Sequence, residues 1–465
     1  MQTRIEKDSL GDVLVPADAL YGAQTARAVK NFPVSGLRAG VFLLRAIAMI
    51  KLAAARDNGE LGLITPQQSQ AIQDAAQEIL SGQHHEQFVV DVFQAGAGVS
   101  FHMNANEVIA NRANQLLGGA LGDYSLVHPN DHVNYGQSTN DVFPTAMRLS
   151  ALLALAELDP VLTSLADGLQ LKAAEFDGIL KAGRTHMQDA VPIRLGQEFA
   201  AYAMAICRAQ ANIAMNAGGL HELGLGGSAV GTGINTHPAY RKRAIALLAE
   251  LSRHALTPAQ DMRYAMQSCA PVAAVSASLR TLALEIIRIS NDLRLLSSGP
   301  NTGLHELDLP SLQPGSSIMP GKVNPVLPEL AAMVGFQVVG NDAAIALAVQ
   351  AGQLELNVMM PTMTHNLLQS ITILTNALRE LDHRCIRGIT ANADRCAFYA
   401  ASTVSLATAL NPYIGYSRAV QVVKQSIASG RSIIDIVRDE KLLTEDQIET
   451  ILDARAMTEP RAKES

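Results

Sequence analysis

Between positions 271 and 298 the apolar residues Val275, Leu279, Leu282, Ile286, Ile289, Leu293 and Leu296 recur at alternating spacings of four and three. That rhythm lines one face of a helix with a heptad seam. Pro271 suits a first helical turn and Gly299-Pro300 a stop, so the pattern predicts one helix over 271–298. At about 1.5 Å per residue it is roughly 40 Å long, more than a small globular core needs. A second seam runs through Leu367, Ile371, Leu374, Leu378 and Leu381. Val272, Leu284 and Ile287 lie off the first seam, so this helix needs partners on more than one side. A bundle of long helices supplies them, and so does a second copy of the chain. No repeat of fixed period supports a solenoid instead.

The rest of the chain divides around these runs. Short turns (Pro16-Ala17-Asp18, Asn31-Phe32-Pro33) alternate with amphipathic helices predicted over 41–58 and 66–81. Gly- and Asn-rich text from Gln94 to Asn140 is interrupted by a predicted helix near 106–117. From about Pro144 to Asn392 long helical runs have few breaks. The tail from Ala393 carries shorter helices, a turn at 410–415, and a capping box at Thr444-Glu445-Asp446-Gln447. Strand signals are nearly absent, so the expected fold class is all-α. The expected domains are 1–139, a central long-helix bundle over 140–393, and a small helical domain over 394–465.

Composition narrows the function. At 465 residues the chain exceeds one compact core, and 48% hydrophobic with 17% charged residues describes a folded protein. A formal net charge of −7 leaves no basic footprint for nucleic acid, so a small anionic substrate would need a local positive site. Cys207, Cys269, Cys385 and Cys396 lack CxxC spacing and read as free, buried thiols. The first residues have no apolar signal core, and charges such as Arg45 and Lys51 break the most apolar windows. We therefore expect no membrane span and a cytoplasmic protein.

Four segments concentrate polar chemistry: 96–107, 128–141, 183–189 and 313–325. The last packs Gly and Pro around Ser316, Ser317, Lys322 and Asn324, between segments that read as long helices. A connection this rich in turn residues is costly to order, and its hydroxyl, ammonium and amide groups suit a small carboxylate. The plainer reading is an interhelix loop. Ser138-Thr139-Asn140 reads as an N-cap cluster, and a helix N-terminus is also an anion site. Thr185-His186 gains weight from its neighbours Arg184 and Asp189. No HExxH occurs and His128 with His132 lacks a partner carboxylate at helical spacing, so no metal site is read. Gly224-Leu225-Gly226-Gly227-Ser228-Ala229 loosely fits a dinucleotide pattern but follows a segment that reads as helical, and we reject it. No GxSxG elbow appears.

Taken together, these segments resemble the aspartase/fumarase superfamily over essentially the whole chain. Gly315-Ser316-Ser317-Ile318-Met319-Pro320-Gly321-Lys322-Val323-Asn324-Pro325 matches its signature, and Ser138–Asp141 and Gly183–His186 match its other active-site segments. The resemblance implies a three-domain all-α fold and a homotetramer with active sites shared between subunits. It implies a small dicarboxylate or amino-acid substrate and no cofactor. Aspartase-like text includes 291–300, Gln188-Asp189-Ala190-Val191-Pro192 and Val326-Leu327-Pro328-Glu329. Text shared with class II fumarases includes 20–25 and His132-Val133-Asn134. The balance resembles aspartate ammonia-lyase more.

The resemblance also implies roles. Ser316 matches the general base that removes a proton beside a carboxylate. Ser138, Thr139 and Ser317 match donors to the resulting aci-carboxylate, and Lys322 and Asn324 match a clamp on the other carboxylate. Asn140, Thr185 and His186 match the groups around the leaving amine. In the fumarase alternative, His186 paired with Glu329 relays a proton to a departing hydroxyl. One position departs from the pattern: Val99 stands where these enzymes usually carry Thr, with Ser100 beside it as a possible compensation. That leaves open a lyase for another 2-substituted succinate or amino acid. A non-catalytic structural homologue is a remote alternative.

Overall fold

The computed structural model describes residues 2–460; position 1 and positions 461–465, at the outer ends of the first and last expected domains, lie outside the described residues. The first half runs β1 (Thr3–Asp8), β2 (Gly11–Pro16), α1 (Ala23–Asn31), α2 (Val41–Glu60), α3 (Pro66–Leu80), α4 (Val99–Leu116), α5 (Thr139–Glu175), β3 (Leu180–Thr185), β4 (Gln188–Arg194) and α6 (Leu195–Ala217). Then come β5 (Glu222–Leu223), α7 (Tyr240–Ser252), β6 (Thr257–Pro258), α8 (Met262–Gln267), α9 (Ala270–Leu296), β7 (Leu307–Asp308), α10 (Val326–Gln350), α11 (Met360–Arg384) and β8 (Thr390–Ala391). Short helices, among them α12 (Ala393–Ser402), finish the chain. Among the described residues the strands form only two-stranded ladders, and the fold is all-α as expected.

Two compact units are distinguished: 1–159 with 209–283 and 336–375, and 160–208 with 284–335 and 376–465. Both seams are core. Val275, Leu279, Leu282, Ile286, Ile289, Leu293 and Leu296 are buried, as are Leu367, Ile371, Leu374, Leu378 and Leu381. Off the first seam Val272 is buried, whereas Leu284 is 52% exposed. In the tail, Leu410, Val422, Ile436, Val437 and Ile448 build a small core of their own. The capping box at Thr444 and Gln447 forms as the spacing predicts.

Four expectations are corrected. First, α5 opens at Thr139, not at Pro144. Ser138 N–H donates to Asp141 Oδ1 at 2.9 Å and Asn140 N–H to Ser138 Oγ at 3.2 Å, and this cap outweighs the proline signal. Second, 180–194 is a β-hairpin inside a stretch expected to be helical. Its two-residue turn, His186-Met187, has φ of 53° and 62°, the geometry that Asn-Gly normally announces. Third, among the described residues three helices are long and apolar enough to cross a membrane: Thr139–Glu175, Ala270–Leu296 and Val326–Gln350. Burial accounts for the first, since 67% of its window lies inside the protein. Fourth, Cys207 is exposed, while Cys269, Cys385 and Cys396 are buried.

In the second unit a buried ionic cluster holds the hairpin. Glu306 is fully buried and accepts from Arg184 at 2.9 Å, with Lys181 at 3.5 Å. Lys181 also pairs with Glu198 at 3.2 Å, and the Arg184 guanidinium lies over the Tyr399 ring at 5.0 Å. Both cations stand on β3, so the anchor sits directly behind the Thr185-His186 tip. Replacing Glu306 by Gln leaves the partly buried Arg184 without its counter-charge and buried Lys181 with Glu198 alone, a change that costs about 3–5 kcal/mol. Glu306→Gln is expected to lower the thermal midpoint and to lose hydrogen-exchange protection across Leu180–Arg194. Unchanged hairpin protection would show that the cluster does not hold it.

Candidate active site

The sequence-predicted residues fall into two sets, one in each unit, and each set is described by itself. In the first unit the focus is the N-terminus of α5. The Asp141 carboxylate is buried and accepts from the N–H groups of Ser138, Gly226 and Ser228 at 2.9–3.0 Å. Burial pushes its pKa up to about 6, opposed by these N–H groups and by the charge of Lys51. The glycine-rich stretch rejected as a dinucleotide motif is therefore an anion-binding turn for the protein's own carboxylate. A two-residue strand, not a helix, precedes it, and the next helix opens only at Tyr240.

Asn140 donates its side-chain Nδ2 to the Ala229 carbonyl at 2.9 Å, which leaves Oδ1 as an acceptor. Thr139 Oγ1 lies 2.7 Å from His102 Nδ1, and His102 Nε2 lies 2.8 Å from Lys51 Nζ. Lys51 and His102 are both buried, and burial pulls both pKa values well below their ordinary range. In the sequence Lys51 stands out only as a charge breaking an apolar window, and His102 is not singled out. The available signals were a lysine inside an apolar helix face and a histidine within the 96–107 segment.

Helix α4 opens at Val99, after Ala97 and Gly98 at φ of 61° and 83°. A Cβ on Gly98 would collide with the ring of Phe143 on α5, so only glycine fits there. Val99 is 41% exposed, whereas Ser100 is buried. His128 caps its own turn: its Nδ1 accepts from the N–H groups of Asn130 and Asp131 at 3.2 Å. Among the described residues no cluster of His, Cys, Asp and Glu side chains is arranged to hold a metal ion.

In the second unit Thr185 and His186 are exposed at the hairpin tip, while Arg184 points back to Glu306 and is structural. The 311–324 loop folds on itself: Gly315 N–H donates to the Lys322 carbonyl at 2.7 Å and Asn324 Nδ2 to the Gly315 carbonyl at 2.8 Å. Ser316 Oγ accepts from the N–H groups of Ile318 and Met319 at 3.2 and 2.9 Å. Gln313, Ser316, Met319 and Lys322 line an open hollow there, and Ser317 and Lys322 are exposed. Glu329 stands in the first turn of α10, and within one chain no ion pair joins it to His186.

A loop that gives a serine oxygen two N–H donors and a lysine neighbour can bind an anion and stabilise developing negative charge. A family profile described as "Lyase" matches residues 11–340, and one described as "Fumarase C C-terminus" matches 406–459. The chain belongs to this lyase family, the aspartase/fumarase superfamily. It is 48% identical over 462 residues to the aspartate ammonia-lyase of Pseudomonas aeruginosa, covering 99% of this chain and 98% of that one. It is 47% identical over 456 residues to the class II fumarate hydratase of Halobacterium salinarum, covering 98% and 97%. Among solved structures it is similar to a fumarate lyase:delta crystallin from Brucella melitensis bound to cobalt. The TM-score is 0.95 at 45% identity, covering 99% of this chain and 100% of that one.

Proposed function

We propose that the chain is a carbon–nitrogen lyase that removes ammonia reversibly from L-aspartate to give fumarate. The observation that carries this reading is the environment of Ser316. Its oxygen already accepts two backbone N–H bonds. Hydrogen bonds to an anionic form favour it, so the turn lowers the cost of using a serine as a base. Ser316 would take the proton from the carbon beside the reacting carboxylate. Thr139, Ser138 and Ser317 would donate to the aci-carboxylate that forms, and Lys322 and Asn324 would hold the second carboxylate. Breaking the carbon–nitrogen bond then collapses the aci-carboxylate to fumarate.

The amine favours aspartate over malate at Asn140. With Nδ2 engaged by Ala229, this side chain offers an acceptor, and a bound ammonium group is rich in donors. Overall identity does not discriminate, at 48% and 47% to the two kinds of relative. The deciding measurement follows fumarate absorbance with aspartate and, separately, malate. We expect fumarate from aspartate, and Ser316→Ala is expected to lower kcat by about 10²–10⁴-fold with the fold intact. Turnover of malate alone would replace this reading by the hydratase one. Silence with both would point to another 2-substituted succinate or amino acid.

Val99 bears on the same question. A hydroxyl in its place could bond a substrate carboxylate, and such a bond to a charged group is worth about 1.5–3 kcal/mol. Val99→Thr is therefore expected to raise kcat/KM on aspartate by about tenfold or more. A fall would show that the pocket has been tuned to a different substituent.

The two sets of residues are also proposed to meet across subunits of a homotetramer, with 140–393 as the bundle core. Helix α10 supports this. Leu330, Met333, Phe336 and Leu347 are 37–64% exposed along it, and only 39% of its apolar window is buried within the chain. Thr139→Ala and Ser316→Ala chains, each strongly impaired but measurable alone, are expected to regain activity when unfolded together and reassembled. No recovery would place both sets in one chain's site.

A further inference from the structure

Thr139 is one of the hydroxyls that the proposed reaction needs as a donor, and the role inferred for its buried neighbours rests on that reading. A hydroxyl has a single hydrogen to give. Whether Thr139 can give it to a substrate depends on what its oxygen meets inside the protein, and that is His102 Nδ1 at 2.7 Å. The direction of this bond is set one step further back, at Lys51.

Lys51 Nζ lies 2.8 Å from His102 Nε2, 3.0 Å from Asn134 Oδ1 and 2.9 Å from Gln137 Oε1. Both amides are oriented by their other contacts. Asn134 Nδ2 donates to the Gln137 carbonyl at 3.2 Å, and Gln137 Nε2 donates to the Val133 carbonyl at 3.1 Å. Their oxygens are thereby turned towards Lys51. An ammonium has three donors and no acceptor; this cage offers two fixed amide oxygens, and a ring nitrogen that takes the third donor when it carries no proton. Burial lowers the Lys51 pKa and the nearby charge of Asp141 opposes it, so the case for the ammonium rests on the acceptors around it. With Lys51 donating to Nε2, the single proton of a neutral imidazole must sit on Nδ1 and point at Thr139.

We infer that Lys51 and His102 are positioning residues: the Lys51 ammonium fixes His102 as its Nδ1–H tautomer, which donates to Thr139 Oγ1 and so turns the threonine hydroxyl outward as a donor to substrate. The opposite polarity is chemically distinct. A neutral Lys51 amine accepting from Nε2–H would leave Nδ1 bare. Thr139 would then donate inward and have no hydrogen left for a carboxylate.

Two measurements test this. In solid-state NMR of 15N-histidine-labelled protein, the His102 resonances are those that vanish in His102→Asn. They are expected to show a protonated Nδ1 beside a bare Nε2, whatever the substrate proves to be; a protonated Nε2 would overturn the inference. The kinetic test is a double-mutant cycle. His102→Leu and Lys51→Met are each expected to lower kcat by about tenfold to a hundredfold, with KM little changed. His102→Asn can keep a donor near the Nδ1 position and is expected to recover much of the loss. In a Thr139→Ala background the His102→Leu loss should vanish, because the two act through one hydroxyl. A full additional loss there would overturn the inference while leaving the assignment of Thr139 intact. If Thr139→Ala itself leaves turnover unchanged, the reading of Thr139 in the reaction is what fails.

Discussion

Three backbone N–H groups, from Ser138, Gly226 and Ser228, converge on the buried carboxylate of Asp141. The first unit's chemistry depends on this convergence. It caps the longest helix, and it ties that cap to a glycine-rich turn otherwise far away in sequence. Asn140 then reaches the same turn through the Ala229 carbonyl. Each buried N–H left without its acceptor would cost about 1–3 kcal/mol. Ser138, Thr139 and Asn140 are therefore presented by a backbone with little freedom to move.

The second unit solves the same problem with charges. Glu306 gathers Lys181 and Arg184 behind the hairpin, while the tip holds two non-glycine residues at positive φ. A left-handed conformation costs about 1–2 kcal/mol per residue, and the anchored strands make it tolerable. At the α5 N-terminus and at the hairpin tip, buried ionic or hydrogen-bonded groups stand directly behind the chemistry-bearing side chains, whereas the Ser316 loop is held by its own bonds. Rigid support under exposed loops is a common way to combine accurate placement with access for substrate.

Much of this was legible in the chain. The seams of α9 and α11 depend only on spacing, and every seam residue is buried. The capping box at Thr444 is equally local. The 313–325 segment announced itself by composition, and its resemblance named Ser316 and Lys322 before their surroundings were known. The hairpin at 180–194 was not legible, because His186-Met187 carries none of the usual turn chemistry and the flanking text is short. The apolar length of α5 also ran against the expectation of no membrane span. An apolar window reads alike whether lipid or protein covers it.

By itself, then, the sequence determined the all-α class, the long buried seams and the segments that carry chemistry, because these follow from periodicity and residue type within a few turns. Tertiary structure alone decided that Arg184 is an anchor and that Gly226 and Ser228 serve a carboxylate. It also decided that Lys51 and His102 stand behind Thr139. Those roles depend on which distant groups share a buried volume, where an unpaired donor or charge is expensive. Spacing along the chain carries no record of that.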